Sequence, residues 1–224
     1  MLKEELLPGR GSCLRRNNSE WLAVTINCES RSDIMIINDT SLTNKCAQQW
    51  TFNIAPRKYY MIVNIGKNLL TIKYNNNISE HEIIYDPYKY ENSEKKKFNP
   101  DDLVKKYSIP DGYIDILSKW YSIKFIYPKY NIIFIKPEMG ISIQVHTLRS
   151  EKWEILSGKP IIISDNRVYY FVEKGTKFTN EKMKFHSIIN PNKSPKTFVA
   201  IKEQWSGSFD EEDIKRVYNP NNYQ

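Results

Sequence analysis

The sequence predicts an all-β protein in which two sets of short strands are separated by a polar stretch. Runs rich in Ile, Val, Tyr and Phe recur along the 224 residues, and clusters of Asn, Asp, Pro and Gly separate them. The regular spacing of these runs is typical of an antiparallel sandwich or barrel. About eight runs fall within roughly the last hundred residues, as a small double-sheet jelly roll requires.

The individual strands follow from these runs. The first half contains six candidates: Trp21–Ile26, Asp33–Ile37, Trp50–Ile54, Tyr59–Asn64, Leu69–Tyr74 and Glu82–Tyr85. The second half contains eight: Ser122–Tyr127, Asn131–Lys136, Ser142–His146, Lys152–Leu156, Pro160–Ile163, Val168–Glu173, Lys184–Ile188 and Thr197–Gln204. Ser164–Arg167 predicts a tight hairpin turn. The final stretch, Phe209–Val217, starts acidic and ends basic, which favours one or two helical turns.

The polar stretch between the two sets of strands predicts a domain boundary. Residues 86–101 are nearly all polar and are interpreted as a linker. A short helix should follow, because Asn99 can cap it and Pro100 suits its first position. We therefore expect a smaller β-rich domain over residues 1–100, a helix and linker over 101–117, and a barrel over 118–224.

Composition narrows the class of protein. Hydrophobic residues make up 40% and charged residues 26%, which is ordinary for a globular protein. We find no window of about 18 apolar residues that could span a membrane. Residues 1–16 contain no apolar core of a secretory signal, so a cytoplasmic protein is expected. The abundance of Lys, Asn, Ile and Tyr indicates an AT-rich genome, and a viral source would imply the host cytoplasm.

The net charge of +7 allows several anionic partners. The lysines are dispersed along the chain, which favours biased codon usage over a nucleic-acid surface, so nucleic acid is not the expected partner. A nucleic-acid module would need a continuous basic face with exposed aromatic residues. The three cysteines form no Cys-x-x-Cys pair, which argues against a disulfide scaffold and a thiolate zinc site.

A set of metal-ligating residue types lies in the second half. Gln144 and His146 are two apart on a predicted strand, so both side chains point to the same face. Glu151 begins the next strand, where it could meet them across a hairpin, and His186 could join from a more distant strand. His146 alone is better explained as a hydrogen-bonded core residue. The combination of Gln, His, Glu and His, however, suits zinc, and Fe, Mn, Co or Ni would also fit.

The spacing of these residues resembles the two motifs of the cupin superfamily. The first motif, G(X)5HXH(X)3,4E(X)6G, is matched with Gln in place of its first His and with its opening Gly displaced, since Gly140 lies closer than the pattern asks. The second, G(X)5PXG(X)2H(X)3N, is matched with Glu181 and Met183 in place of its Pro and Gly. The matching positions are Gln144, His146, Glu151 and Gly158 in the first motif, and Gly175, His186 and Asn190 in the second.

A narrower resemblance is to type II mannose-6-phosphate isomerases, over roughly residues 118–218. The stretch 141–153 is similar to the family's LSLQxHxxRxEHW, and Asn190-Pro191 is similar to its Glu-Asn-Pro-Gly. Residues 203–216 resemble the family's closing E-x-Q-x-G…E-D-D-I-x-R. Thr147 and Leu148 depart from the family, which often has further histidines there. No nucleotidyltransferase signature is present.

The resemblance implies a fold and a function. The fold would be a C-terminal cupin, a double-stranded β-helix, preceded by a β-rich domain for which a degenerate cupin is one interpretation. The activity would be interconversion of mannose 6-phosphate and fructose 6-phosphate, with a phosphorylated sugar as partner and a homodimer as the family-level expectation. Gln144, His146, Glu151 and His186 would hold a divalent metal, with zinc as the first expectation. Arg149 would bind phosphate or stabilise the enediolate.

Two questions stay open at this point. Lys152 is a weak candidate for the general base, because it follows Glu151 on the strand and should point the other way. A non-catalytic cupin that binds a sugar or sugar nucleotide is the alternative function, and the missing Pro-x-Gly turn favours it. Retention of all four ligand types favours an enzyme.

Overall fold

The computed structural model describes residues 2–208 and 211–222, and most of it is β-strand. Among these residues, seven strands precede helix α1 (Pro100–Tyr107): β1 (Leu2–Leu6), β2 (Leu14–Arg16), β3 (Leu22–Asn38), β4 (Ser41–Ile54), β5 (Tyr59–Asn64), β6 (Leu70–Tyr74) and β7 (Glu82–Tyr85). Eleven strands follow it: β8 (Asp115–Ser118), β9 (Ser122–Ile126), β10 (Asn131–Ile135), β11 (Ile143–His146), β12 (Arg149–Ser157), β13 (Ile161–Ser164), β14 (Arg167–Tyr169), β15 (Lys177–Asn180), β16 (His186–Ile189), β17 (Val199–Gly207) and β18 (Ile214–Tyr218). The predicted all-β class is confirmed.

The strands form two antiparallel sheets. The larger has twelve strands in the order β18-β11-β16-β13-β14-β4-β3-β5-β2-β7, with β6 also beside β3 and β1 beside β6. The smaller has the order β15-β12-β17-β10-β9-β8. The C-terminal strands of the larger sheet pack on the smaller sheet, and Trp153, Ile162, Ile188 and Ile201 are buried between them. This pair of sheets is the predicted double-sheet barrel.

The N-terminal strands curl around a core of their own. One edge of β3 pairs with β4, while its other edge pairs first with β6 and then with β5. The register of β3 against β4 shifts between Asn27 and Ser32, and a bulge of this kind bends a strand. The predicted strands Trp21–Ile26 and Asp33–Ile37 are therefore two parts of one bent strand.

The two sets of strands share a sheet and a core. Arg167 of β14 pairs with Ser41 of β4, so the larger sheet runs through both halves of the chain. Near this junction, Met35 and Met61 from the first half pack in one buried cluster with Ile163 from the second. The N-terminal strands thus support the outer face of the C-terminal barrel.

The polar stretch before the barrel contains the predicted helix. The Asn99 side chain accepts a hydrogen bond of 3.1 Å from the Asp101 N–H, which caps the helix at its first turn. Helix α1 packs through Leu103 against the outer face of the smaller sheet. The helix is confirmed, whereas the domain limits 1–100, 101–117 and 118–224 stay a prediction.

Two local predictions near turns have different outcomes. The hairpin is confirmed, since β13 ends at Ser164, β14 begins at Arg167, and Asp165 between them has φ 57°. The prediction of one or two helical turns over the segment Phe209–Val217 is right for a single turn and wrong for the residues after it. The first two residues of the segment lie outside the described part of the chain, Glu211–Asp213 forms one 3₁₀ turn, and β18 then pairs with β11. Pairing gives hydrogen-bond partners to an edge of β11 that would otherwise lack them.

Five strands were missed by the sequence analysis: β1, β2, β8, β15 and β18. They span three to five residues each, and charged or polar side chains interrupt their apolar alternation. The three cysteines are free thiols. Across the described ranges, no helix has the length and apolar composition needed to cross a membrane.

Candidate metal centre

A polar cluster lies at one end of the C-terminal barrel, where three strands begin or end. His146 is the last residue of β11, Arg149 the first of β12, and His186 the first of β16. Because side chains alternate along a strand, Gln144 and His146 share a face. Ile143 points the other way and packs in the core between the two halves. The inward direction of Gln144 and His146 thus follows from simple strand alternation.

Glu151 reaches the cluster from the opposite sheet. β11 pairs with β16 and β18, whereas β12 pairs with β15 and β17. The expectation that Glu151 meets His146 across a hairpin is therefore wrong, because Thr147 and Leu148 carry the chain from one sheet to the other. The two side chains meet across the interior of the barrel instead.

His146, Glu151 and His186 come together as a compact group. Nε2 of His146 lies 3.0 Å from Oε1 of Glu151, and Nε2 of His186 lies 3.7 Å from Oε2 of the same carboxylate. One potential ligand atom from each residue lies within 4.8 Å of the other two. All three side chains are almost fully buried, so the sequence analysis selected residues that the fold does bring together.

The protonation state of His186 follows from its surroundings. Nδ1 lies 3.0 Å from the Lys184 carbonyl oxygen, so this nitrogen carries the proton and Nε2 keeps its lone pair. Burial lowers the pKa of His186 to about 4, which keeps the ring neutral near pH 7. Within the described residues, Nε2 has no hydrogen-bond partner. A neutral imidazole with an unpaired nitrogen is the form that binds a metal ion.

Glu151 links the members of the cluster. Oε1 accepts a hydrogen bond of 3.0 Å from Arg149 Nε, and Oε2 accepts one of 3.1 Å from the Trp153 indole N–H. Burial by itself would raise the pKa of Glu151. The hydrogen bond from His146 and the nearby His186 and Arg149 outweigh burial and hold the pKa well below its usual value. Glu151 is therefore a buried carboxylate in its ionised form.

Arg149 is buried within the cluster instead of lying at the surface. Besides its bond to Glu151, its Nη1 lies 3.8 Å from Oδ2 of Asp213, and its Nη2 lies 3.4 Å from Nε2 of His146. From the sequence alone, an arginine between two candidate metal ligands has no packing reason. The structure supplies one, because the guanidinium balances two carboxylates in a place closed to solvent.

Asp213 belongs to this arrangement although the sequence analysis assigned it no role. Its Oδ1 and Oδ2 accept hydrogen bonds of 3.0 Å from the backbone N–H groups of Thr147 and Leu148, and the Thr147 hydroxyl also donates to Oδ1. Burial opposes ionisation, but these hydrogen bonds outweigh it and lower the pKa of Asp213 to about 2. Asp213 therefore holds the connection between β11 and β12. Its position in the closing motif was the signal available in the sequence.

The donor set suits a divalent metal ion. Two imidazole nitrogens and a carboxylate oxygen are common zinc ligands, and the unpaired Nε2 of His186 would gain a partner from such an ion. Gln144 pairs with His186 across the β11–β16 ladder and shares the face of His146. Its Oε1 accepts a hydrogen bond of 2.8 Å from the Ser142 hydroxyl. Gln144 as a fourth ligand stays a prediction.

A small cavity adjoins the cluster on the side of Gln144. Its volume is about 70 Å³. The sequence analysis missed two of its charged residues, Lys124 and Glu203. Glu203 had a position in the closing motif as its signal, whereas Lys124 had none. The charged and polar lining includes Lys119, Lys124, Gln144, Glu203 and Arg216.

The turn before His186 forms although Glu181 and Met183 replace the Pro and Gly of the second cupin motif. Met183 occupies the motif's glycine position and has φ 60°, in the left-handed region that glycine favours. Its N–H donates a hydrogen bond of 2.7 Å to the His146 carbonyl oxygen, which ties the turn to the end of β11. Asn190 is fully buried, and its side-chain amide donates to the carbonyl oxygens of Ile135 and Thr197. Asn190 therefore anchors a loop.

A third buried histidine lies in the first half of the chain. Because His81 stands between Glu80 and Glu82, the sequence predicts an exposed strand residue. That prediction is wrong, since His81 is 3% exposed and directly precedes β7. Its Nδ1 lies 2.7 Å from the hydroxyl of Tyr60, which is also buried. The flanking glutamates suggested exposure, but the hydrogen bond to Tyr60 makes burial of the ring acceptable.

Comparison with solved structures finds two bacterial proteins among its matches. The capsular polysaccharide assembling protein CapF from Staphylococcus aureus is 20% identical, with a TM-score of 0.37, over 51% of this chain and 33% of that one. The Cupin 2 conserved barrel domain protein from Leptotrichia buccalis is 13% identical, with a TM-score of 0.31, over 92% of this chain and 82% of that one.

The sequence matches known proteins over part of its length. The alginate biosynthesis protein AlgA is 29% identical over 86 residues in Pseudomonas aeruginosa and 31% identical over 85 residues in Pseudomonas putida. These matches cover 38% of this chain and 17% of either relative. The family described as mannose-6-phosphate isomerase C-terminal matches residues 116–219. The match therefore covers the segment that contains the buried cluster, and it is the family that the motifs of this segment resemble.

Proposed function

We propose that this chain is a metal-dependent aldose–ketose isomerase that interconverts mannose 6-phosphate and fructose 6-phosphate, for the synthesis of nucleotide sugars or glycan precursors. The observation that carries the proposal is the buried group of His146, Glu151 and His186. This group lies in the segment that the isomerase family matches. The match to alginate biosynthesis proteins supports a role in carbohydrate metabolism.

His146, Glu151 and His186 would hold the metal ion, with Gln144 as the fourth ligand. Nitrogen and oxygen ligands of this kind favour zinc, and Mn, Fe, Co or Ni would also fit. When bound, such an ion polarises a carbonyl group as a Lewis acid. Nδ1 of His146 also has no hydrogen-bond partner among the described residues, whereas Nε2 of the same ring contacts Glu151.

The side chains around the cluster have separate tasks in this reaction. Isomerisation moves a proton between C1 and C2 through a cis-enediol, so negative charge develops on the sugar oxygens. The buried guanidinium of Arg149 is a fixed cation beside that charge. Burial favours this role over binding of the strongly hydrated phosphate. We assign the phosphate to Lys119 and Arg216, which line the adjacent cavity and are less buried.

The alternative function is a non-catalytic cupin that binds a sugar or a sugar nucleotide. Thr147 and Leu148, which stand where the family often has further histidines, are the observation that favours it. The size of the cavity does not separate the two functions. A volume of about 70 Å³ has room for about two water molecules, at roughly 30 Å³ each. A complete hexose phosphate is larger, so in either function only one end of the ligand would enter the cavity.

The proposed function also implies a substrate class, a cellular location and an oligomeric state. The substrate is a phosphorylated sugar, which the chain's net charge of +7 would help to attract. We also propose a cytoplasmic location. The family-level expectation of a homodimer stays a prediction.

Elemental analysis of the purified protein tests the metal site first. We expect about one divalent metal ion per chain in the wild type, and its loss in His146→Ala because the ligand set is then incomplete. His81→Gln is the matched control, since it removes the third histidine of the chain and should retain the metal. A wild-type protein that holds no metal, and takes up none when it is supplied, would contradict the proposal.

An isomerisation assay then separates the two functions. A metal-loaded wild type should convert mannose 6-phosphate to fructose 6-phosphate, and His146→Ala should not. A protein that holds metal and binds sugar phosphate, yet interconverts neither sugar, would be the non-catalytic cupin.

A further inference from the structure

Glu203 is a buried carboxylate that lies inside the barrel but outside the metal cluster. It is 4% exposed and stands on β17. Its neighbours at alternate positions on the strand, Val199 and Ile201, belong to the core of the barrel. Glu203 therefore points inward. A carboxylate in such a place is costly unless it has partners.

The partners of Glu203 are polar side chains from the same sheet. Asn131 on β10 donates a hydrogen bond of 2.7 Å from Nδ2 to Oε1 of Glu203. The ammonium nitrogen of Lys124 on β9 lies 3.5 Å from the same oxygen. The Lys124 side chain is only 15% exposed, so this pair is largely shielded from solvent. Three adjacent strands thus place an amide, a cation and a carboxylate together.

This trio adjoins the cavity, and β17 pairs with the strand that carries Glu151 of the metal cluster. Lys124 and Glu203 line the cavity together with Gln144, the proposed fourth metal ligand. Glu203 is also directly opposite Trp153 in the ladder between β12 and β17, two positions along the strand from Glu151. Diagonal neighbours on one face of a sheet lie about 7–8 Å apart. A sugar end held at the cluster would therefore meet the Glu203 side of the cavity.

The pKa values of Glu203 and Glu151 are shifted in opposite directions. Burial raises the pKa of Glu203, and the nearby charge of Glu151 raises it further. The pKa of Glu151 is lowered by its hydrogen bond to His146 and its cationic neighbours. Two acids whose environments separate their pKa values are typical of sites where one acid stays ionised and the other exchanges a proton. The geometry above assigns the exchanging role to the acid that lines the cavity.

We infer that Glu203 is the acid–base residue of the isomerisation and transfers the proton between C2 and C1 of the sugar. This inference rests on the proposed function. Glu203 takes the C2 proton of the aldose, the C–H electron pair becomes the C1–C2 double bond, and the carbonyl π pair moves to O1. The O2 proton then moves to O1, and the electron pair left on O2 becomes the π bond of the C2 carbonyl. The C1–C2 π pair takes the proton back from Glu203 and becomes the new C1–H bond. The product is the ketose, with no net change in protons or electrons.

The experiment compares Glu203→Gln with the wild type by three measurements: metal content, kcat for isomerisation, and exchange of the C1 and C2 hydrogens with deuterium oxide followed by NMR. The amide keeps the size of the side chain and an acceptor for Asn131. We expect full metal content, a kcat lowered about 100- to 10,000-fold, and an equal loss of hydrogen exchange, as for removal of a general base. Glu203→Asp should recover part of the rate.

The control is Glu154→Gln on β12. Glu154 points away from the barrel interior, 3.8 Å from Lys177, and its side chain is 39% exposed. This variant should isomerise within about twofold of the wild type, because it touches no part of the site.

Each outcome decides between the claims. If the wild type is active and the kcat of Glu203→Gln lies within about threefold of it, the inference about Glu203 is wrong, while the proposed function stands. Loss of the metal in Glu203→Gln also overturns it, since Glu203 would then act on the structure of the site. A wild type that neither isomerises the two sugar phosphates nor exchanges their hydrogens overturns the proposed function together with the inference.

Discussion

The two curled sets of strands differ in what they turn toward their interiors. The N-terminal core is apolar, and its polar groups pair locally: Tyr60 with His81 at 2.7 Å, and Tyr74 with Glu4 at 2.8 Å. The C-terminal barrel has a similar apolar core, but one end of it holds three ionisable side chains around Glu151. The same architecture therefore serves as a plain core in one half and as a candidate site in the other.

The comparison shows which property of a buried histidine indicates a ligand. Both His81 and His186 have an Nε2 atom with no partner among the described residues, so an unpaired nitrogen is not sufficient. His81 contacts a neutral phenol, whereas His146 and His186 lie on either side of the ionised Glu151. A carboxylate between two imidazoles is a set of ligands for a cation, and a single imidazole bonded to a tyrosine is a satisfied core group.

The largest effect that would sharpen this comparison is expected from Glu151→Ala. The substitution leaves the buried Arg149 without its closest carboxylate, and breaking a buried pair in this way costs about 3–5 kcal/mol. The measurement is urea unfolding in the presence of a chelator, so that metal binding does not contribute. Glu154→Ala on the outer face of β12 is the control and should change the free energy of unfolding by at most about 1 kcal/mol. Equal losses in the two variants would contradict the buried network.

A medium effect is expected from Tyr60→Phe in the N-terminal core. It leaves Nδ1 of the buried His81 without a partner, at a cost of about 1–2 kcal/mol in the free energy of unfolding. The metal content should not change, because His81 is not part of the cluster. Tyr169→Phe, at a residue 39% exposed, should cost less than about 0.5 kcal/mol. If Tyr60→Phe lost the metal, the view that the N-terminal core is separate from the metal cluster would be wrong.

The smallest effect is expected from Met183→Gly in the turn before His186. Met183 has φ 60° and its side chain is largely exposed, so glycine relieves the strain and loses little contact. We expect a gain of about 0.5–1 kcal/mol in the free energy of unfolding, after the larger entropy of the unfolded glycine chain is subtracted. Met183→Ala keeps the strain and should show no gain. A destabilised glycine variant would show that the Met183 side chain has a packing role.

The residues of the site were easier to predict from the sequence than the fold of the first half. Residues within one strand were predicted well, because the two-residue period of a strand puts Gln144 and His146 on one face wherever the strand lies. The helix after Asn99 and the turn before Arg167 were predicted from capping and turn chemistry of the same local kind. The bend inside β3 and the strand pairing of β18 depend on partners far away in the chain, and no local pattern contains them.

By itself, then, the sequence determined the all-β class, the family resemblance of the second half and the candidate ligands, since these depend on composition, spacing and alternation. Only the tertiary structure decided how the ligands meet: Glu151 comes from the opposite sheet, and Asp213 holds the connection that places it. It also decided that Arg149, His81 and Glu203 are buried. Burial and cross-sheet contacts depend on which strands pair and in which register, and that choice is made by the packing of the whole chain.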